Sequence, residues 1–155
     1  MALTGEDVGR ILAVDYGDRR TGLAVSDPRR MIAQPLPTIE ESDPDRLARA
    51  IARAAAERGV RTIVLGLPLL PDGSEGNRVS KTRAFARRLE VAAGAGVRIV
   101  EWDERLTSAE AAEWLREAGL RRNARKKRVD AVAAVLILRS YLGATGGKQD
   151  SADRG

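Results

Sequence analysis

The 155-residue chain contains neither cysteine nor histidine. The absence of cysteine excludes disulfides, thiolate nucleophiles, iron–sulfur clusters and cysteine zinc sites. The absence of histidine excludes a Ser-His-Asp triad, a histidine general base and histidine-bound zinc or haem. Any bound metal must therefore be a hard cation held by carboxylates, carbonyl groups or water. Acid–base chemistry would fall to Asp, Glu, Lys, Tyr or water.

Long apolar segments are also absent. No apolar run approaches the roughly 20 residues that span a bilayer. The segment Met1–Gly9 contains Glu6 and Asp7 and lacks the apolar centre of a signal peptide. We therefore expect a cytoplasmic protein without membrane contact. Hydrophobic residues make up 43% and charged residues 32% of the chain, a composition and length that suit one folded domain.

The positive charge is concentrated in one short segment. Between Gly119 and Arg128 there are six basic residues and no acidic one, and without these six the net charge of +5 would fall to −1. A focused positive patch is typical of a surface that binds nucleic acid. On charge alone, a solvated loop that keeps the protein in solution is an equally good interpretation. The six residues of this basic segment are Arg121, Arg122, Arg125, Lys126, Lys127 and Arg128.

Five short segments have the composition of β-strands. The first two are separated by the turn Gly17–Arg20 and predict a hairpin. The third contains Pro35 and Pro37, which places it at a sheet edge at best. The last two are apolar runs that predict buried strands. The five predicted strands cover residues 10–16, 21–26, 31–39, 61–67 and 97–102.

Predicted helices alternate with the later strands. One follows the fourth strand, with Val79, Phe85 and Leu89 at helical spacing, and another begins at the capping box Thr107–Glu110 and ends at Gly119. The first begins at Asp43-Pro44, an N-cap followed by proline, and the last, residues 131–142, is nearly all apolar and is expected to be buried. This order predicts an α/β domain with a mixed sheet, whose reactive groups gather at the strand C-termini. We expect a flexible N-terminus over residues 1–9, one domain over 10–142 and a disordered tail over 143–155.

Carboxylates stand at the ends of two predicted strands. Asp15 shares a face with Ile11 and Ala13, and it either binds a cation or hydrogen-bond donor or simply begins a turn. Asp103 and Glu104 end the last strand and should point to opposite faces, so at most one of them faces the same site as Asp15. Ordinary polar termination of the strand explains this second pair as well.

Asp130 lies between the basic segment and the last helix. Alone, it is better explained as a helix N-cap than as a catalytic group. Together with the strand-end carboxylates it could form an acidic cluster, in which like charges repel unless a divalent cation neutralises them. Two Mg²⁺ or Mn²⁺ ions held by carboxylates are a standard arrangement for in-line phosphodiester cleavage, which needs no histidine.

Four blocks in a fixed order resemble the YqgF family, also called RuvX, the RuvC-like Holliday junction resolvase homologues. The resemblance covers roughly residues 10–142, and the four blocks together are highly specific. They are Val14–Gly17 with Arg20–Ser26, Val64–Pro68 with Asp72–Gly76, Asp103–Thr107, and Lys127–Ala134.

This resemblance implies an RNase H-like fold with a mixed five-stranded sheet flanked by helices. It also implies a metal-dependent nuclease that matures the 5′ end of pre-16S rRNA. The acidic positions of the family fall on Asp15, Glu104 and Asp130, as catalytic residues and as ligands of Mg²⁺ or Mn²⁺. The choice of Glu104 over Asp103 comes from the family motif, because strand alternation leaves it open. The expected partner is precursor rRNA, with single-stranded or junction DNA as alternatives, and the protein would be a monomer or a homodimer.

Three other functions fit less well. One alternative is a Holliday junction resolvase or DNA-repair nuclease, but RuvC resolvases carry a further acid where this chain has Ala133 and Ala134, which counts against junction resolution by the RuvC geometry. A non-catalytic nucleic-acid-binding module would be expected to lack an acidic position, and all three are present. A phosphotransferase of the actin-like ATPase superfamily needs two such domains around ATP, and 155 residues provide one.

Several other side chains are candidates for contact with nucleic acid. Arg105 could hold a phosphate through two hydrogen bonds, although a surface salt bridge explains it equally well. Lys81 and Arg83 could track a backbone, but a solvated helix face is the more ordinary explanation. Trp102 and Trp114 could stack on bases, but each lies in an apolar pattern that favours core packing. The basic segment is expected to bind the phosphate backbone.

Overall fold

A computed structural model describes residues 9–107 and 132–145 of the chain. Five strands form one sheet in the order β3-β2-β1-β4-β5. The β1–β2 and β2–β3 pairs are antiparallel, whereas the β1–β4 and β4–β5 pairs are parallel, so the predicted mixed sheet is confirmed. The strands are β1 (Ile11–Asp15), β2 (Arg20–Ser26), β3 (Ala33–Glu40), β4 (Thr62–Leu67) and β5 (Arg98–Asp103).

In the described residues three helices flank this sheet, and each predicted strand lies within about two residues of its observed place. A 3₁₀ helix, Glu104–Thr107, follows β5 directly. The predicted helix between Thr107 and Gly119, the basic segment and Asp130 lie outside the described residues. The helices are α1 (Pro44–Glu57), α2 (Asn77–Ala93) and α3 (residues 132–145).

The local sequence explains the helix ends. The Asp43 carboxylate accepts a hydrogen bond from the backbone N–H of Arg46 at 2.9 Å, and Pro44 opens α1 as predicted. α3 continues to residue 145, past the predicted end at Leu142. The Thr145 hydroxyl donates to the Tyr141 carbonyl at 2.7 Å, which supports this additional turn. Among the described helices, none combines the length and the apolar character that a membrane-spanning helix needs.

One face of the sheet is covered by α1 and α2, and we call it the two-helix face. Leu12 and Val14 of β1 and Ile63 and Leu65 of β4 are fully buried there. The helices contribute the side chains at which the helical spacing predicted a buried stripe, including Phe85 at the centre of α2. Burial of this apolar surface is the main source of stability on this face.

The other face of the sheet is covered by α3, and we call it the α3 face. Ile11 and Ala13 of β1 and Val64 of β4 pack there against Ile137 and Leu138 of α3. Nearly every α3 residue from position 132 to 138 is buried, so the prediction of a buried apolar helix is confirmed for these residues, whereas most residues from 139 to 145 are partly or fully exposed.

Trp102 is partly buried and packs against the core of the α3 face. Its indole N–H donates to the Ser140 hydroxyl at 3.0 Å, and its ring meets Tyr141 edge-on with centroids 5.2 Å apart. The preference for core packing over base stacking is therefore confirmed for Trp102. Trp114, for which the same preference was expected, lies outside the described residues.

Candidate active site

The first hairpin turn places Asp15 at the edge of the α3 face. Asp15 is the last residue of β1 and follows Ile11 and Ala13 on that face by the two-residue period. The turn after it is tight, because a Cβ at Gly17 would lie 2.2 Å from the Arg20 carbonyl oxygen. Only glycine fits this position, so the carboxylate stands at the end of a rigid strand rather than within a loose loop.

Tyr16 anchors the same turn to α2. Its ring stacks on Phe85 with centroids 4.3 Å apart and planes 5° from parallel. The backbone N–H of Gly17 donates to the hydroxyl of the buried Thr21 at 3.3 Å, which closes the turn from the other strand. The sequence Asp-Tyr-Gly thus supplies a carboxylate, an aromatic anchor and a tight turn at successive positions.

Glu104 reaches Asp15 across the intervening strand. It begins the 3₁₀ helix after β5, and β4 separates β5 from β1 in the sheet. The side chain passes over Gly66 of β4, where a Cβ would lie 2.6 Å from Glu104 Oε1 and 2.6 Å from Ile137 Cδ1. The Glu104 carboxyl group is in hydrogen-bonding contact with the side chain of Asp15. Gly66 therefore provides the space in which the two carboxyl groups meet.

Burial raises the pKa of Glu104, and the charge of Asp103 adds to the rise. The hydrogen bond with Asp15 and the positive charge of Arg78 act in the opposite direction. Two carboxyl groups in contact cannot both be ionised at low cost unless a proton or a cation lies between them. Because all the donors are carboxylate oxygens, the pair fits a hard divalent cation such as Mg²⁺ or Mn²⁺.

A third acidic ligand does not join this pair within the described residues. In residues 9–107 and 132–145, no group of three or more acidic side chains is arranged to hold a metal ion. Asp130, the predicted third acid, lies outside these ranges, two positions before Val132 in the sequence. Its role as a catalytic residue and ligand stays a prediction.

Asp103, the sequence neighbour of Glu104, is engaged by Arg105 instead. Arg105 Nη2 donates to Asp103 Oδ2 at 2.8 Å and Nε donates to Oδ1 at 3.2 Å, and these bonds lower the pKa of Asp103. The same guanidinium donates to the Pro71 carbonyl at 3.4 Å and lies against Gly73. Arg105 thus fastens the loop between β4 and α2 to the end of β5. Phosphate binding by Arg105 stays a prediction beside this ion pair.

Lys81 lies on α2, one turn from an arginine that the sequence patterns did not single out. Lys81 Nζ donates to Asp18 Oδ1 at 3.2 Å, and Arg78 Nη1 donates to Asp18 Oδ2 at 3.2 Å. The hydrogen bond from Lys81 is the largest of the effects that lower the pKa of Asp18. Arg83, the other candidate on this helix, pairs with Glu75 and Glu101.

Two residues of the site were missed at the level of sequence, Gly66 and Arg78. A glycine inside an apolar strand is unfavourable for the strand and often marks a close approach of another group, so Gly66 carried a usable signal. Arg78 carried none, because its contacts join α2 to a turn some 60 positions earlier in the chain.

Comparisons with known proteins identify the family and the relatives that this chain resembles. A family model described as RuvX, Holliday junction resolvase, matches residues 9–144. A Chloroflexus aggregans protein with the provisional name pre-16S rRNA nuclease is 42% identical over 134 residues, which cover 86% of this chain and 93% of the relative. An Acetivibrio thermocellus protein of the same name is 39% identical over 138 residues, covering 88% and 97%.

A solved structure shows the fold. RuvC of T. thermophilus, in complex with a Holliday junction substrate, matches with a TM-score of 0.62 at 16% sequence identity, covering 90% of this chain and 96% of that one. The RNase H-like fold expected from the sequence is thereby confirmed. Since the family model covers nearly the whole chain and the relatives exceed one third identity, the chain belongs to the RuvX family.

Proposed function

We propose that this protein is a metal-dependent nuclease that hydrolyses phosphodiester bonds at the 5′ end of pre-16S rRNA in the cytoplasm. The observation that carries the proposal is the meeting of Asp15 and Glu104 over Gly66 at the C-terminal edge of the sheet. The names of the Chloroflexus and Acetivibrio relatives support the substrate. In this proposal, a single nuclease domain over residues 10–142 carries both the carboxyl pair and the binding of the rRNA substrate.

In this proposal Asp15, Glu104 and Asp130 hold Mg²⁺ or Mn²⁺ through carboxylate oxygens. Bound there, such ions would supply an activated water and charge stabilisation for the leaving oxygen. The chain itself provides two carboxyl groups, Asp15 at the end of β1 and Glu104 at the start of the 3₁₀ helix that directly follows β5. The ion pair of Asp103 with Arg105 keeps that neighbouring carboxylate bound elsewhere, so Glu104 alone is turned towards Asp15.

We further propose that the basic segment delivers the nucleic-acid backbone to the carboxylates. It ends two residues before Asp130, so its charges lie close to that acid along the chain. Neutralising Arg125, Lys126, Lys127 and Arg128 should weaken binding of every nucleic acid and flatten the salt dependence by up to about one unit of log–log slope per lost phosphate contact. Binding measured across a salt series tests this, and an unchanged slope would assign the segment to solubility alone.

Junction resolution is the weaker alternative. The RuvC structure supports a shared fold, but the positions at which RuvC resolvases carry a further acid hold Ala133 and Ala134 here. Ala134 is fully buried in the core of the α3 face, so this position provides no acidic side chain.

The proposal is tested by a side-by-side cleavage assay on precursor 16S rRNA, single-stranded DNA and four-way junction DNA. Each substrate is incubated with Mg²⁺, with Mn²⁺ and with EDTA, and the Asp15→Asn protein serves as the control for contaminating nuclease. We expect rRNA cleavage that needs a divalent cation and is lost in the variant. Cleavage that survives EDTA, or that cuts only the junction, would contradict the proposed chemistry or the proposed substrate respectively.

A further inference from the structure

Arg78 joins α2 to the turn that carries Asp15. It is the second residue of α2. Its Nη2 donates to the Tyr16 carbonyl at 3.3 Å and its Nη1 donates to Asp18 Oδ2 at 3.2 Å. Since Tyr16 follows Asp15 directly, the guanidinium is held beside the carboxyl pair by one backbone and one side-chain acceptor.

The hydrogen bond to the Tyr16 carbonyl places the Arg78 guanidinium one residue from Asp15 along the chain. Lys81, one turn further along α2, binds the other oxygen of Asp18 at 3.2 Å. One carboxylate therefore organises two cations, and the cluster of Arg78, Lys81 and Asp18 carries a net positive charge next to an acidic site.

This cationic cluster is open to solvent. The side chains of Arg78 and Lys81 are 45% and 60% exposed, and that of Asp18 is 57% exposed. Exposed ion pairs contribute little to stability, and the stack of Tyr16 on Phe85 already holds α2 to the turn. A role in holding the fold is therefore a weak explanation for two cations on one carboxylate.

A phosphodiester that approaches Asp15 and Glu104 meets two acidic groups and needs positive charge beside them. A guanidinium suits this task because its planar N–H groups match two oxygens of one phosphate. Prior fixation by the Tyr16 carbonyl reduces the side-chain freedom that binding would otherwise remove.

We infer that Arg78 binds the phosphate group that the substrate presents to Asp15 and Glu104, and that Asp18 is the residue that positions Arg78, with Lys81 beside it. This inference rests on the proposed nuclease function, and it assigns a phosphate contact to a residue of α2. The basic segment would bind other phosphates of the backbone, whereas Arg78 would bind the one at the site of cleavage.

The test uses Arg78→Gln and Arg78→Lys in the full chain, with Arg88→Gln as the matched control. Arg88 lies on the same helix, is similarly exposed at 47% and pairs with Asp45 of α1. The first measurement is the Kd for a labelled single-stranded RNA in EDTA across a salt series, where no cleavage is needed. We expect Arg78→Gln to raise the Kd about tenfold and to reduce the salt slope by about one unit. Arg78→Lys should keep the slope, and Arg88→Gln should match the unmodified protein.

The second measurement is steady-state cleavage. Arg78→Gln should lower kcat/KM by about 100-fold, and Arg78→Lys should recover only part of that loss, since a lysine binds phosphate as a point charge. Asp18→Asn removes the positioning residue but keeps both cations, so it should lower kcat/KM while leaving the salt slope unchanged. An Asp18→Asn protein with full kcat/KM would overturn the positioning role.

The outcomes separate this inference from the proposed function. A lowered melting temperature in Arg78→Gln, with the salt slope and kcat/KM unchanged, would overturn the phosphate contact and leave the nuclease assignment intact. If the unmodified protein cleaves no substrate, the nuclease assignment fails, and the salt slope of Arg78→Gln in EDTA still decides whether Arg78 binds phosphate.

Discussion

The two faces of the central sheet are made by the same strands and serve different purposes. On the two-helix face, the apolar core extends close to the C-terminal ends of β1 and β4, where Val14 and Leu65 are fully buried. On the α3 face the next residue of each strand breaks the apolar pattern, with Asp15 in β1 and Gly66 in β4.

This difference shows how one sheet supplies both stability and a site. The two-helix face is rigid, because its close-packed apolar side chains extend nearly to the C-terminal ends of the strands. The α3 face is less closely packed at the same edge. Asp15 places a carboxyl group there, and Gly66, which has no side chain, leaves space for Glu104. Substitutions on adjacent residues of one strand should therefore have separable effects on folding and on cleavage.

The largest expected effect is on cleavage, from Asp15→Asn. Asparagine keeps the shape and the turn but lacks the carboxylate, so we expect cleavage to fall by about 10³-fold while the melting temperature is unchanged or rises. Cleavage of precursor rRNA and a thermal melt on the same preparation measure both. Full activity in the folded variant would show that Asp15 is a turn residue and that the α3 face holds no site at this edge.

The opposite result is expected from Leu65→Ala, on the other face and directly before Gly66. Removing a fully buried leucine should lower the free energy of unfolding by about 2–5 kcal/mol. Urea unfolding measures this loss, and kcat, taken at a temperature where the variant is folded, should stay within about twofold of normal. A large fall in kcat at full folding would mean that the two faces are not independent.

Most of the fold followed from the sequence, because its signals are local. The Asp43-Pro44 helix start, the edge strand with Pro35 and Pro37, and the buried stripe of α2 each depend on residues within a few positions of one another. The extra turn at the end of α3 was not predicted, because the Gly-rich sequence after Leu142 is unfavourable for a helix. The hydrogen bond of the Thr145 hydroxyl that supports this turn is visible only in the structure.

The site followed only in part, and the reason is again the range of the signals. Alternation along a strand could not choose between Asp103 and Glu104, because the strand ends at Asp103 and Glu104 begins a 3₁₀ helix. The family motif, not the residue spacing, selected Glu104. The contact of Arg78 with the first turn depends on tertiary packing, which no local pattern encodes.

Gly66→Ala should lower both stability and cleavage through a change at one residue. The added Cβ would overlap both Glu104 Oε1 and Ile137 Cδ1, each at 2.6 Å, so either the carboxyl group or α3 must move. We expect stability to fall by about 1–3 kcal/mol and cleavage to fall by about 10- to 100-fold. Urea unfolding and cleavage assays measure the two losses.

Gly96→Ala is the matched control for this change. Among the described residues, apart from its two chain neighbours, no heavy atom lies within 4 Å of a Cβ at Gly96, and the substitution shares the reduced chain freedom of the unfolded state. It should therefore leave both stability and cleavage close to normal. A Gly66→Ala protein that behaves like this control would show that the space over β4 is not needed by Glu104.

The smallest expected effect is a gain in stability from Glu104→Gln in metal-free protein. The pKa of Glu104 is raised by burial above its ordinary value of 4.5, so the folded state holds a proton more tightly than the unfolded chain does. That contribution is fully present below pH 4.5 and is lost as the pH rises through the raised pKa. Glutamine carries no charge and avoids the loss, so its melting temperature should exceed that of the unmodified protein at neutral pH, by about 2–4 °C for each 1 kcal/mol.

The neighbouring Asp103→Asn gives the opposite dependence and so sharpens the comparison between the two carboxylates. Hydrogen bonds from Arg105 lower the pKa of Asp103, so its contribution to stability is present near neutral pH and is lost as the pH falls through the lowered value. Melting curves from pH 3 to 8 should therefore show the Glu104→Gln gain growing with pH, while Asp103→Asn gives a small loss that disappears in acid. If the Glu104→Gln protein melts at a lower temperature than the unmodified protein at neutral pH, the Glu104 carboxylate is stabilised as an anion. Burial would then not be the dominant effect on this carboxyl group.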